Sequence, residues 1–130
     1  MNAAKDEPLD PGQRVGRYRV VRTLGRGAMG AVYEVEREEI GQRLAMKVLH
    51  HTQVDQPELA ARLRNEWRTS SRVPDPGLVL VFDQDWLDDG RPYLIMEYLV
   101  GPTLRDHLRD HGALSVPRAL RLCHQIAAAL

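Results

Sequence analysis

Three glycines stand within six residues, in the run Gly-Arg-Gly-Ala-Met-Gly at positions 25–30. Their spacing matches G-x-G-x-x-G, a pattern with three physical interpretations. A dinucleotide-binding fingerprint needs the glycines to open a helix, but residues 31–36 alternate as a strand does. A plain hairpin turn would use glycine for its positive φ. In the third interpretation the loop is a lid over phosphate groups, because missing side chains let backbone N–H groups approach the anion.

Lysine is rare in this chain: Lys5 and Lys47 stand against sixteen arginines. Lys47 lies in the apolar run Leu-Ala-Met-Lys-Val-Leu at 44–49, and strand alternation puts Ala45 and Lys47 on one face. A small residue beside an ammonium group suits a flat ring with a phosphate tail. The alternative is an edge-strand lysine whose ammonium group reaches solvent.

A carboxylate occupies an unexpected position in the helix predicted after Asp55. Helical spacing puts Glu66 on the same face as Leu59 and Leu63. A carboxylate turned toward a sheet needs a charge partner to offset desolvation, and Lys47 is the natural candidate. Alternatively the helix is rotated slightly, so that Trp67 faces inward and Glu66 lies at the rim.

Alternating residues predict the strands that position these groups. The predicted strands are residues 18–24, 31–36, 43–49, 79–83 and 93–98. Short connections between the first three imply an antiparallel meander with the glycine run as a hairpin loop. Further helices are predicted from Thr103 to Gly112 and from Ser115 onward, since Ser and Thr cap helix starts and Gly stops them.

Five arginines lie between Arg14 and Arg26, opposite Glu34 and Glu36 of the following strand. They could form an anion site, but cross-strand ion pairs across the hairpin explain them more simply. We therefore expect arginine–glutamate pairs between these strands. His50 and His51 are expected to lie in a loop.

Composition excludes several classes of protein. The 130 residues carry 18 Lys+Arg and 18 Asp+Glu, a formal charge of zero, whereas nucleic-acid and membrane-surface binders usually have a basic excess. No apolar run approaches the ~20 residues of a membrane span, and the N-terminus lacks the apolar stretch of a signal peptide. The single cysteine, Cys123, cannot form an internal disulfide. A cytoplasmic protein is expected.

Four elements in this order resemble the N-terminal lobe of eukaryotic-like protein kinases, most closely their bacterial serine/threonine branch. Residues 25–32 fit the glycine-rich loop G-x-G-x-x-G-x-V at each fixed position. Lys47 matches the lysine of V-A-I-K, with Leu44 and Met46 replacing Val and Ile. Glu66 matches the helix glutamate. Residues 95–99, Ile-Met-Glu-Tyr-Leu, followed by Gly101, resemble the hinge. The resemblance covers about residues 16–130.

The resemblance implies an α+β fold. The expected N-lobe is a five-stranded antiparallel sheet plus one helix, followed by the first helices of a helical C-lobe. The implied boundaries are a disordered N-terminal tail over 1–15, the N-lobe with its nucleotide-binding sheet and hinge over 16–100, and an incomplete C-lobe over 101–130.

The resemblance also implies roles in a kinase that uses ATP and Mg²⁺ to phosphorylate Ser or Thr of proteins. Gly25, Gly27 and Gly30 would lie over the ATP phosphates. Lys47 would contact the α- and β-phosphates and be held by Glu66. The remaining residues would surround the adenine: Leu24, Val32 and Ala45 above the ring, Met96 as gatekeeper, and the backbone of Glu97 and Leu99 at its edge.

The residues that perform phosphoryl transfer in this family are the Asp and Asn of the catalytic loop and the Asp of D-F-G. They would lie beyond Leu130, as would the metal ligands, so this stretch alone is not expected to catalyse. The last helix reaches Leu130 without a stop signal, so we expect part of a longer chain. The alternatives are a pseudokinase or nucleotide-binding regulatory module, and a stand-alone protein-interaction fragment.

Overall fold

The computed structural model describes residues 6–51, 58, 61–62, 65, 68 and 76–130. Its strands are β1 (Arg14–Val15), β2 (Tyr18–Arg26), β3 (Gly30–Arg37), β4 (Gln42–Leu49), β5 (Val81–Trp86) and β6 (Pro92–Glu97). The helices that follow are α1 (Leu104–His111) and α2 (Val116–Ala129). This arrangement confirms the expected fold class.

All strands belong to one antiparallel sheet in the order β1-β2-β3-β4-β6-β5. The sheet has six strands in the described residues, where the sequence predicted five. The added strand, β1, pairs with β2 across a turn in which Gly16 has φ 57°. Two residues are too few to show alternation, so the pattern could not reveal this strand.

One face of the sheet encloses the main core. The residues of this core that are under 2% exposed are Tyr33, Met46, Ile95, Val20, Val35 and Val48. The sheet curls, so that strands distant in its order meet: the hydroxyl of Tyr18 on β2 donates to Asp83 on β5 at 3.2 Å. Burial raises the pKa of Tyr18, and the neighbouring Asp83 raises it further.

Residues 6–15, here called the N-terminal segment, pack against this core. Leu9 is buried, and its backbone N–H donates to the hydroxyl of Tyr33 at 3.1 Å. The N–H of Gly12 donates to the carbonyl oxygen of Val20 at 2.7 Å, and that of Val20 donates to Gln13 at 2.9 Å. The expectation of disorder is therefore wrong for residues 6–15; Met1 to Lys5 lie outside the described residues.

The predicted ends of α1 are confirmed. The Thr103 side chain accepts a hydrogen bond from the N–H of Asp106 at 3.1 Å, and Gly112 stops the helix with φ 77°. Helix α2 follows Ser115, with a proline in its first turn. No described helix is long and apolar enough to cross a membrane.

Candidate functional site

The glycine-rich loop (residues 25–30) connects β2 to β3, as the alternation on either side predicts. The loop closes through the N–H of Gly27, which donates to the carbonyl oxygen of Gly30 at 2.9 Å. None of the three glycines of the motif has a positive φ. A hairpin turn that needs glycine for positive φ therefore does not explain them.

Gly30 is required by the close approach of two strands. A Cβ at Gly30 would lie 1.9 Å from the carbonyl oxygen of Val48 and 2.9 Å from Cα of Leu49. Both obstacles are backbone atoms of β4, which a larger residue would have to push away. This glycine therefore allows the loop to lie directly against the strand of Lys47.

Gly25 and Gly27 are different, because nothing lies within 4 Å of a Cβ at either position. The protein itself leaves that space open. The loop and Lys47 line a cavity of about 370 Å³ together with Val32. The cavity has bare backbone on one side and an ammonium group on the other, a lining that suits an anionic phosphate chain. The residues present therefore fit the phosphate groups of a nucleotide.

Lys47 lies on β4 and is partly buried. Its register partners are Val32 on β3 and Leu94 on β6, which make it a residue of a central strand rather than of an edge. The edge-strand alternative is therefore wrong. Within the part of the chain that the structure describes, no carboxylate lies within ion-pair distance of Lys47. Glu66, its predicted partner, lies outside the described residues.

The residues predicted to enclose an adenine lie on one face of the sheet. Ala45 is paired in register with Met96 of β6, and Val32 with Lys47. Because paired residues point to the same side, these four side chains share the face opposite the main core. Leu24 lies at a register irregularity between Thr23 and Gly25 and is 39% exposed. The sheet therefore brings the predicted apolar contacts and the lysine to one surface.

The hinge segment (residues 97–101) leaves the sheet at the end of β6. The N–H of Glu97 donates to the carbonyl oxygen of Leu80 at 2.8 Å, and its side chain accepts from the N–H of Leu80 at 3.3 Å. Since that N–H is already used, the backbone group that Glu97 could offer a ligand is its carbonyl oxygen. Leu99 is exposed.

His50 contacts the glycine-rich loop, which the sequence did not predict. Its backbone N–H donates to the carbonyl oxygen of Met29 at 3.0 Å, and its Nε2 lies 3.1 Å from that of Gly27. The second contact requires a proton on Nε2. The only feature of the sequence that could have indicated this contact is the position of His50 shortly after Lys47. His50 thus holds the tip of the loop through its own N–H and imidazole, which both contact backbone oxygens of the loop.

His51 joins the N-terminal segment to the β5–β6 hairpin. Its Nδ1 lies 2.9 Å from the Asp6 carboxylate and its Nε2 2.8 Å from the carbonyl oxygen of Asp89. Both partners are acceptors, and only the protonated imidazolium has two donors. The hydrogen bond to Asp89 accordingly raises the pKa of His51; burial opposes this, and the hydrogen bond to Asp6 adds to it.

Asp6 is the acidic partner in this contact. Burial alone would raise the pKa of Asp6, but hydrogen bonds from the backbone and ring of His51 and the charge of His50 hold it below its ordinary value. His50 Nδ1 lies 4.0 Å from the same carboxylate. One carboxylate of the N-terminal segment therefore faces both histidines.

The expected cross-strand ion pairs of the first hairpin are present. Arg22 Nε lies 2.6 Å from Glu34, and Arg19 Nη2 lies 2.7 Å from Glu36. A further cation, Arg43 of β4, contacts Glu34 at 2.7 Å. Arg19 and Arg22 of β2 are thus held by carboxylates of β3, as predicted in preference to an anion site.

A second cavity, of about 430 Å³, lies between the N-terminal segment and the β5–β6 hairpin. It has two arginines in its lining, but its carboxylates outnumber them: Glu7, Asp10, Asp85, Asp88 and Asp89. This excess of negative charge would repel a polyphosphate. The smaller cavity beneath the glycine-rich loop is therefore the better candidate for a nucleotide.

Comparison with known proteins agrees with this geometry. Residues 18–130 match the family described as "Protein kinase domain". Serine/threonine-protein kinase Pkn1 of Myxococcus xanthus is 47% identical over 100 residues, which are 75% of this chain and 14% of that protein. Serine/threonine-protein kinase PknE of Mycobacterium bovis is 36% identical over 119 residues, 92% of this chain and 21% of that protein.

Among solved structures, the kinase domain of Mycobacterium tuberculosis PknI, in the form of a double mutant, superposes with a TM-score of 0.84 at 29% identity. The match covers 95% of this chain and 49% of that one. The chain therefore spans about half of a solved kinase domain and about a fifth or less of the two curated relatives.

Proposed function

The chain belongs to the protein kinase domain family, and from that premise we propose that it is the ATP-binding part of a serine/threonine protein kinase. Such an enzyme transfers the γ-phosphoryl group of ATP to a Ser or Thr hydroxyl of a protein substrate, leaving ADP. Its ATP comes from the cytoplasm, where we place this domain. Mg²⁺ would be held by residues outside this chain.

One observation carries the proposal: the glycine-rich loop and Lys47 line a single cavity that two of the motif's glycines leave open. Gly25 and Gly27 would lie over the phosphates and Gly30 would hold the loop against β4. Lys47 would supply the positive charge at the α- and β-phosphates, with Glu66 as its partner in the active arrangement.

The adenine would lie on the same face of the sheet. Leu24, Val32 and Ala45 would cover one side of the ring, and Met96, beside Ala45 in register, would limit the depth of the pocket. The carbonyl oxygen of Glu97 and the backbone of Leu99 would meet the polar edge of the ring. These roles leave the chain responsible for binding and orienting the nucleotide.

Substitution of Lys47 in the full-length protein tests this function. We expect Lys47→Met to lower phosphate transfer from ATP to a general protein substrate by about a hundredfold or more, as for loss of one preorganised charge at a reacting group. The matched control is Lys5→Met, the same change at the only other lysine of the sequence, which should leave transfer unchanged.

The results separate the alternatives. Unchanged transfer in Lys47→Met would contradict the assignment of the lysine. A full-length wild type that binds ATP without transferring phosphate would be a pseudokinase or nucleotide-binding regulatory module. A wild type that does not bind ATP would favour the protein-interaction alternative.

A further inference from the structure

Glu34 has a buried carboxylate, and nucleotide binding alone does not explain why it is there. It is 5% exposed and lies on β3 on the nucleotide-facing side of the sheet, in register with Arg22 on one side and Ala45 on the other. A carboxylate buried this far is costly unless its charge is paired. Its partners therefore indicate why it is there.

Two arginines neutralise Glu34. Arg22 of β2 donates from Nε at 2.6 Å, and Arg43 of β4 donates from Nε at 2.7 Å. The hydrogen bond from Arg22 is the main influence that holds the pKa of Glu34 below its ordinary range, against burial and together with the bond from Arg43. The carboxylate stays ionised at neutral pH and orients both guanidinium groups.

Both arginines also contact the same tyrosine, Tyr98. Arg22 Nη2 donates to the hydroxyl oxygen of Tyr98 at 3.1 Å, and the Arg43 guanidinium carbon lies 4.4 Å from the centre of the Tyr98 ring. The first contact is directional, and the second is a cation–π interaction that fixes the plane of the ring. Tyr98 is thus held by its edge and by its face.

The position of Tyr98 gives these contacts a consequence for binding. It stands between Glu97 and Leu99, the two residues whose backbone is proposed to meet the adenine. Glu34 itself lies in one row across the sheet with Ala45 and Met96, since Ala45 is in register with both. The ion-pair cluster is therefore next to the proposed adenine pocket and attached to its hinge.

We propose that Glu34, through Arg22 and Arg43, positions the hinge segment by holding Tyr98, and so sets the adenine-binding edge. These are positioning residues, since none of them needs to touch the nucleotide. The inference rests on the proposed function for its effect on ATP. The restraint of the hinge itself can be measured without ATP.

The test compares Glu34→Gln with Glu36→Gln in the full-length protein. Glu36 lies on the same strand and face and pairs with Arg19 instead, so the control makes the same carboxylate-to-amide change away from the hinge. In nucleotide-free protein, Glu34→Gln should lower the NMR backbone order parameters of residues 98–100 from about 0.85, typical of rigid backbone, to about 0.6 or less. Glu36→Gln should leave these order parameters unchanged.

Nucleotide binding then tests the consequence. Glu34→Gln should raise the Kd for ATP about five- to tenfold, the size expected for one weakened hydrogen bond. The Kd for the ATP analogue that lacks the 6-amino group should change much less, because this analogue cannot donate a hydrogen bond to the Glu97 carbonyl oxygen. Tyr98→Phe, which removes one acceptor and leaves the sheet intact, should show the same selectivity to a smaller degree.

Unchanged order parameters in both Glu34→Gln and Tyr98→Phe would overturn the inference. Equal loss of affinity for ATP and the 6-desamino analogue would also overturn it, because that is the signature of a general structural defect. If the wild type binds no ATP, the proposed function fails, and the comparison of order parameters alone decides whether the cluster holds the hinge.

Discussion

The sheet and the helices of this chain bury their apolar residues to very different degrees. The curled sheet encloses a core in which Val20, Val35, Met46 and Ile95 have no exposed surface. In α1 and α2, all of whose residues the structure describes, none is buried. Large side chains such as Leu120 and Ile126 of α2 are more than half exposed.

This difference explains where the site can be built. A catalytic or binding group must be held by side chains and strands that are themselves fixed by packing. The described residues of the candidate site lie on β2, β3, β4 and β6 or just beyond them. Helices α1 and α2 contribute none of them, so among the described elements the sheet determines the arrangement of the glycine-rich loop, Lys47 and the pocket face.

The largest expected effect is on the free energy of unfolding. It appears when the same substitution, isoleucine to alanine, is made in the sheet and in α2. Ile95→Ala in the sheet, at 0% exposure, should lower the free energy of unfolding by about 2–5 kcal/mol. In the same 130-residue stretch, Ile126→Ala in α2, at 53% exposure, should change it by about 0.5 kcal/mol or less. Denaturant unfolding measures both. Similar losses at the two positions would show that α2 is packed as firmly as the sheet.

A second pair of variants sharpens the comparison within the glycine-rich loop. Gly30→Ala places a methyl group against the backbone of β4 and should cost about 1–3 kcal/mol of stability. Gly27→Ala enters open space and should change stability by less than about 1 kcal/mol. Its effect should appear instead as weaker ATP binding. Thermal unfolding and a nucleotide titration of each variant separate the two roles.

The reverse outcome would contradict this assignment. If Gly27→Ala unfolds the protein and Gly30→Ala does not, then the loop does not lie against β4 as the structure has it.

The smallest effect concerns pH and the attachment of the N-terminal segment. Because the pKa of His51 is raised above its ordinary 6.5, its contribution is complete below pH 6.5 and is lost as the pH rises through the raised value. Because the pKa of Asp6 is lowered below 3.8, its contribution is complete above pH 3.8 and is lost as the pH falls through the lowered value.

The segment should therefore be held most firmly between about pH 4 and 6.5. The other charged groups at this contact are His50, which faces Asp6, and Arg91, which pairs with Asp89 at 2.8 Å. The protection factors of the amides of residues 6–15, which correct exchange for its intrinsic pH dependence, measure the effect, and His51→Gln should remove the loss of protection above pH 6.5. Equal protection on both sides of pH 6.5 in the wild type would contradict the contact.

Local patterns were sufficient to predict much of the fold. Alternation and glycine spacing predicted the β2–β3 hairpin, the strand of Lys47 and arginine–glutamate pairs between β2 and β3, because these depend on residues close in the sequence. The ends of α1 followed from Thr103 and Gly112 for the same reason.

Contacts between distant residues could not be predicted in this way. The Arg91 side chain donates to the carbonyl oxygen of Glu7 at 2.9 Å, and Arg22 reaches Tyr98, across separations of 84 and 76 residues. No periodicity encodes such contacts, because they arise only when the sheet curls. The ordered N-terminal segment and the link from Glu34 through Arg22 to Tyr98 could not be predicted for that reason.

Chemical labelling tests the central claim most directly. An acyl phosphate of ATP or ADP delivers its acyl group to an amine beside the bound phosphates, and the lysines of this sequence are Lys5 and Lys47. Mass spectrometry of the labelled full-length protein should find Lys47 acylated, and excess ATP should suppress that label while leaving any label on Lys5 unchanged. Lys47 left unmodified, or labelled equally with and without ATP, would contradict a nucleotide site under the glycine-rich loop.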